Sequence, residues 1–146
     1  MNLYTDDYFM KEALKEAHKA FDINEVPVGA VLVHQNQIIA RTHNQSQLLN
    51  DFTAHAEMLA FSAASSYFGG KYLDKCRLFV TLEPCLMCTG ASYWTQLGEL
   101  TYAATDPKKG MCKNGTSFFH PKTKLSQGPF KHEAEQLLKL FFEQKR

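Results

Sequence analysis

The chain has 146 residues, of which 45% are hydrophobic and 21% charged, enough for one domain with a sizeable core. That composition excludes a disordered or collagenous chain, and no apolar run approaches the roughly 18 residues of a membrane span, so no membrane partner is expected. The formal charge of +1 is a cancellation: residues 1–107 carry seven Lys/Arg against twelve Asp/Glu, a sum of −5, and residues 108–146 carry nine Lys/Arg against three Glu, a sum of +6. A uniformly basic nucleic-acid binder is excluded, while a basic C-terminal surface remains.

In chain order, Asp6 or Asp7 can cap a helix to about residue 21, with Phe9, Leu14, Ala17 and Phe21 on one face. Pro27-Val28-Gly29-Ala30-Val31-Leu32-Val33 is apolar and β-branched, a buried strand. Gln35-Asn36 supplies a turn, and Ile38-Ile39-Ala40 continues into a second strand ending near His43-Asn44; so short a turn makes an antiparallel hairpin. Residues 55–65 predict a helix closed by Gly69-Gly70, and residues 77–82 a third strand. Pro84 suits the first turn of a helix running to about residue 96. Residues 100–104 make a fourth strand and residues 124–126 a short fifth. Residues 132–144 form an amphipathic helix with Leu137, Leu138, Phe141 and Phe142 inward. This order implies an α/β fold of three layers, α/β/α, over residues 1–146 as a single domain. Its mixed five-stranded sheet has helices on both faces, and its third and fourth strands are parallel.

The start near Asp6-Asp7 has no basic-then-apolar leader, so no secretory signal is expected. Four cysteines in such a chain point to a reducing, cytoplasmic setting, where metal binding or catalysis outweighs disulfides.

Two clusters carry chemistry: Thr53-Ala54-His55-Ala56-Glu57-Met58 and Thr81-Leu82-Glu83-Pro84-Cys85-Leu86-Met87-Cys88. Each stands where a loop or strand enters a helix, and helix N-termini favour thiolates and anionic intermediates. Cys85 and Cys88, three apart, can turn both sulfurs to one face. With His55 they make a three-ligand set, which leaves a fourth position open to water, as in a catalytic rather than a structural zinc site. Glu57, two residues past His55, is placed to move a proton. Alone, the Cys85/Cys88 spacing would equally suit a redox pair or half a structural zinc site, and a single histidine at a helix start is more often a cap. The joint pattern of His-x-Glu followed by Pro-Cys-x-x-Cys is the signature of zinc-dependent base deaminases. Cys76 and Cys112 have no partner at ligand spacing and read as ordinary thiols.

On these residues the chain resembles the cytidine-deaminase-like superfamily and, within it, the bacterial tRNA-specific adenosine deaminases. Besides the two motifs, Glu25-Val26-Pro27-Val28-Gly29-Ala30-Val31 is similar to the family's first strand and Asp106-Pro107-Lys108-Lys109-Gly110 to its Asp-x-Lys-x-Gly segment. Residues 137–142, followed by Lys145-Arg146, resemble its last helix. The resemblance implies one Zn2+ per subunit on His55, Cys85 and Cys88, with Glu57 as the catalytic proton carrier. It implies conversion of the wobble adenosine of a tRNA anticodon stem-loop to inosine, and a homodimer. Asn44 would contact base and ribose, Val28 and Pro27 would wall the base, and the carbonyl of Pro84 or its neighbour would accept from the exocyclic amine. Asp106, Lys108, Lys109, Lys145 and Arg146 would meet the RNA, with Lys113, Lys122 and Lys124 as further cations and Phe118, Phe119 and Phe130 as stacking or core residues. Met87, Tyr93 and Trp94 are interface or core candidates. Tyr93-Trp94 is also similar to guanine deaminases, so deamination of a free base or nucleoside (guanine, cytosine or cytidine) stays open. A non-catalytic zinc or RNA-binding module leaves Glu57 without a role.

Overall fold

The computed structural model describes residues 3–112 and 118–145. The elements are α1 (Asp6–Asp22), β1 (Gly29–His34), β2 (Gln37–His43), α2 (Ala56–Phe68), β3 (Cys76–Leu82), α3 (Leu86–Thr95), β4 (Glu99–Ala104), β5 (Lys124–Gln127) and α4 (Lys131–Gln144). Gln35 and Asn36 both take left-handed φ, 51° and 62°, the pair of angles that a two-residue hairpin needs to match strand twist. β2 and β1 are therefore antiparallel neighbours. The sheet order is β2-β1-β3-β4-β5, with β1 antiparallel to β3, and β3, β4 and β5 parallel. The mixed five-stranded sheet read from the sequence is present.

Alternation along β1 splits the core in two. Ala30 and Leu32 pack with Ala60, Phe61 and Ala64 of α2 and with Leu78 and Val80 of β3, while Ala91 of α3 leans on the same cluster. Val31 and Val33 face Phe9, Met10, Ala13 and Leu14 of α1, Phe79 of β3 and Ala134 of α4. So α2 and α3 cover one face of the sheet and α1 and α4 the other, giving the three layers. α1 sits so close to β1 that a Cβ on Gly29 would strike the Ala13 carbonyl and the Ala17 amide.

Three local expectations change. The α1 cap is Thr5, whose hydroxyl accepts from the Tyr8 amide at 3.2 Å, and not Asp6 or Asp7. Thr5 is the extended residue, and the two acids fall inside the first turn, where the helix dipole favours them. Pro84 stands before α3, not in its first turn, because its carbonyl accepts from the Met111 amide at 3.2 Å and Cys85 takes the cap position. Phe142 is 49% exposed, not inward. The neighbouring Phe141 takes the packed position, its ring 6.3 Å from Phe21 of α1, and adjacent residues on a helix point about 100° apart.

Candidate active site and metal centre

Because β2 and β3 both run antiparallel to β1, their C-terminal ends lie at the same end of the sheet as the start of β1. The parallel β4 ends there too. α2 and α3 start from that end, one after β2 and one after β3. His55 holds the N-cap position of α2 and Cys85 that of α3, both with extended backbone and neither making a side-chain capping bond. Their side chains turn toward each other instead. His55 Nδ1 lies 3.7 Å from Cys85 Sγ and 3.5 Å from Cys88 Sγ, and one donor atom from each of the three lies within 4.8 Å of the others. A tetrahedral zinc, with Zn–N about 2.0 Å and Zn–S about 2.3 Å, sets nitrogen and sulfur about 3.5 Å apart, so the donor set fits that ion.

The electrostatics of the chain agree. Cys85 is held down to about 4 because the Cys88 thiol and His55 hydrogen-bond to it. Cys88, fully buried and donating to Cys85, is pushed up. His55 is raised by its bond to Cys85. One negative charge thus rests on the pair, and a divalent cation there would favour the second thiolate as well. Glu57, 4% exposed at the first turn of α2, is pushed up to about 7 by burial. A proton carrier works best with a pKa near the operating pH.

A cavity of about 920 Å³ opens over these groups, lined by His55, Glu57 and Cys85. That is within the range for a small-molecule pocket. Val26, Val28, Asn44 and Leu82 line it as a near wall, Asp106, Lys108 and Lys109 bring the 105–112 loop to it, and Leu138 and Phe142 of α4 with the C-cap Lys145 complete the lining. Asn44 is buried, its amide oxygen accepting from Ser46 Oγ at 2.9 Å and its backbone N–H donating to the Val28 carbonyl at 3.1 Å. Pro27 and Pro84 are buried next in sequence to the lining residues Val28 and Cys85 and do not themselves line the cavity. Arg146 and Lys113 lie outside the described residues. Lys124 pairs with Glu99 at the start of β4, the opposite end of the sheet, and neither it nor Lys122 lines the cavity. Phe119 is core at 2% exposure and Phe130 packs against the α1 cluster, whereas Phe118 is exposed away from the lining. Trp94 is 77% exposed, so core packing does not account for it. Cys76 and Cys112 stay apart from the metal group; burial raises them to about 11 and about 12.

Sequence reasoning gave no role to two buried carboxylates inside its motifs: Glu25 accepts from the Gln47 and Leu48 amides, and Glu83 from the Asp106 and Cys112 amides. It also missed the Leu138/Phe142 wall, whose signal is their i, i+4 spacing on α4.

Residues 3–104 match the family model of the cytidine and deoxycytidylate deaminase zinc-binding region. The chain belongs to this zinc-dependent deaminase family. Within the family it is 40% identical, over 96% of its length and 95% of the relative's, to the tRNA-specific adenosine deaminase of Aquifex aeolicus. A solved structure from a study of A-to-I editing by tRNA:A34 deaminases at the wobble position superposes with a TM-score of 0.85 at 38% identity, covering 90% of this chain and 99% of that one. The guanine deaminase of Bacillus subtilis superposes with a TM-score of 0.67 at 35% identity, covering 82% of this chain and 72% of that one. Each zinc deaminase motif of the sequence falls on the donor cluster or the buried carboxylate beside it.

Proposed function

We propose that this chain, working as one deaminase domain, hydrolyses adenosine at the wobble position of a tRNA anticodon to inosine and ammonia. The observation that carries the proposal is a buried carboxylate beside a His-Cys-Cys donor cluster at the floor of an open, lysine-rimmed cavity. The names of the full-length relatives support the substrate.

His55, Cys85 and Cys88 would hold zinc, a Lewis acid that would lower the pKa of a water molecule to about 7. Glu57 takes the proton of the attacking water and delivers it to the ring nitrogen beside the attacked C6. It then carries the remaining proton of the added hydroxyl to the amine, so that the C6–N bond breaks, C6 becomes a carbonyl, and water and adenosine are converted to inosine and ammonia. Asn44 orients base and ribose. Val28 walls the base, with Pro27 before it in the chain, and the Pro84 carbonyl, already bonded to the Met111 amide, has one acceptor direction left for the amine. Lys108, Lys109, Lys145 and Arg146 meet phosphates, and Asp106 the RNA of the loop. An anticodon adenosine is already unpaired, so turning it into the cavity costs little.

The exposed Tyr72, Tyr93 and Trp94 on the α2/α3 side form the face we assign to a homodimer partner. No helix among the described residues is long and apolar enough to cross a membrane. A cytoplasmic enzyme fits the four free thiols.

Deamination of free guanine is the second reading, favoured by the guanine deaminase likeness. A substrate panel separates the two. Inosine should form in an adenosine-34 stem-loop, with no ammonia from guanine, cytosine or cytidine; ammonia from guanine alone would reverse the assignment.

A further inference from the structure

Residues 105–112, which carry Asp106, Lys108 and Lys109 to the cavity rim, contain no α-helix or strand. To the loop's own turn, in which the Gly110 amide donates to the Asp106 carbonyl at 2.9 Å, Glu83 adds contacts from outside. Glu83, 5% exposed, sends its carboxylate into the middle of the loop. Oε1 accepts from the Asp106 amide at 2.8 Å and Oε2 from the Cys112 amide at 2.7 Å, so one carboxylate ties both ends of the loop. Burial and then the nearby Glu83 carboxylate push the Cys112 thiol up. Gly110 shows how tightly the loop closes, since a Cβ there would collide with the Glu83 carboxylate. Asp106 passes the constraint on, its Oδ1 accepting from the amides of Lys108 and Lys109 at 3.2 and 3.1 Å. No lysine, arginine or histidine pairs with Glu83 among the described residues, so backbone amides are what its charge serves.

We propose that Glu83 is a positioning residue that selects for polynucleotide substrate: it holds the 105–112 loop in the shape that aims Lys108 and Lys109 at RNA phosphates. This role rests on the RNA reading above. Glu83 stands two residues before Cys85, so one short segment presents a metal ligand on one side and fixes the RNA rim on the other. Its carboxylate oxygens are committed to the loop, and it acts on substrate only through the lysines.

The test uses the zinc-loaded full chain, E83Q, G110A and the pair E83A and E83A/G110A. Glutamine keeps the volume and one acceptor of Glu83 but turns its NH2 toward an amide. E83Q should keep one zinc per chain and a kcat within about threefold, while KM for an anticodon stem-loop rises about tenfold. The slope of log affinity against log salt should fall by about 1.4, two single-strand phosphate contacts at about 0.7 each. A purely structural residue would lower the folded fraction and leave that slope alone. G110A should repeat the E83Q pattern, and G110A added to E83A should cost little more, because the group it strikes is gone. An E83Q enzyme with wild-type KM and salt slope would overturn the proposal, as would one whose only defect is lost zinc. If the wild type leaves the stem-loop untouched, the RNA reading itself falls. Amide hydrogen exchange then still decides whether Glu83 holds the loop: Asp106 and Cys112 should be protected in the wild type and exchange faster in E83Q.

Discussion

The floor and the rim of the cavity are built by opposite rules. The floor consists of side chains at the first turns of two helices, His55 and Glu57 on α2 and Cys85 and Cys88 on α3, with Glu57 and Cys88 4% and 0% exposed. Rigid elements aim those groups, and the helices are packed against the sheet core. The rim consists of exposed lysines on a loop without α-helix or strand and at the end of α4. Its loop is tied by a buried carboxylate, Glu83, which accepts from the Asp106 and Cys112 amides. The difference teaches where each kind of information resides: reaction type in the floor, choice of substrate in the rim. If so, floor substitutions should change kcat or metal content, and rim substitutions KM and salt dependence.

The largest effect is expected at Cys88. C88A removes a ligand that is wholly buried, so zinc should fall from one per chain to near zero and deamination should vanish. Because ligand binding stabilises the folded state by mass action, a chelator should lower the melting temperature of the wild type and leave that of C88A unmoved. Metal analysis with thermal unfolding checks both; retention of a full zinc complement would remove Cys88 from the ligand set. Next is E57Q, which keeps shape and burial but cannot shuttle a proton. It should retain zinc and lose about 10²–10⁴ in kcat, the usual span of general acid–base catalysis. Unimpaired turnover in a zinc-replete E57Q would break the comparison at its strongest point.

A smaller effect is expected on the rim. K108A/K109A should leave zinc and kcat near wild type and reduce the salt slope of stem-loop binding by about 1.4. This double variant also sets the ceiling for E83Q, which displaces the same two charges without deleting them. A loss of kcat larger than the rise in KM would show that the loop serves the chemistry directly, and the division between floor and rim would have to be redrawn.

The same division explains what the sequence made readable. The floor depends on local spacing, two residues from His55 to Glu57 and three from Cys85 to Cys88, and helical geometry turns such spacing into proximity. That the two pairs meet follows from a β-β-α-β-α order, which starts both helices at one end of the sheet. The rim depends on contacts with no local signal: Glu83 reaches amides 23 and 29 residues away. A buried glutamate whose partners are backbone N–H groups leaves no complementary side chain to find in the sequence. Phe142 fails for another reason. Amphipathic periodicity marks it as apolar, but it cannot say whether an apolar face meets the core or a cavity wall. Charge counting alone does not rank the lysines, whereas the family resemblance singles out Lys108, Lys109 and Lys145, which line the cavity; Lys124, offered only as a further cation, sits at the far end of the sheet.

The smallest effect belongs to neither region and serves as the control for both. On the outer side of β2, Arg41 Nη1 lies 2.8 Å from Glu12 Oε1 of α1, and Lys15 pairs with the other oxygen at 2.6 Å. These bonds, first that of Lys15 and then that of Arg41, hold the Glu12 carboxyl below its ordinary 4.5. Lys15 and Arg41 are 61% and 43% exposed, so the Arg41 pair is worth only about 0.2–1 kcal/mol. A carboxylate with a lowered folded-state pKa stabilises the fold above its ordinary pKa, and that contribution is lost as pH falls through the lowered value. R41A should therefore melt slightly below the wild type at pH 7. The gap should narrow below pH 4.5, close once Glu12 is protonated in the folded state, and shrink in high salt. Melting curves at pH 7 and at successively lower pH give the sign directly. Since Arg41 touches neither floor nor rim, kcat, KM and the salt slope of RNA binding should all stay at wild type. A shift in any of them would mean that the α1–β2 contact reaches the cavity, through β1 and the Asn44–Val28 backbone bond that joins the end of β2 to the near wall.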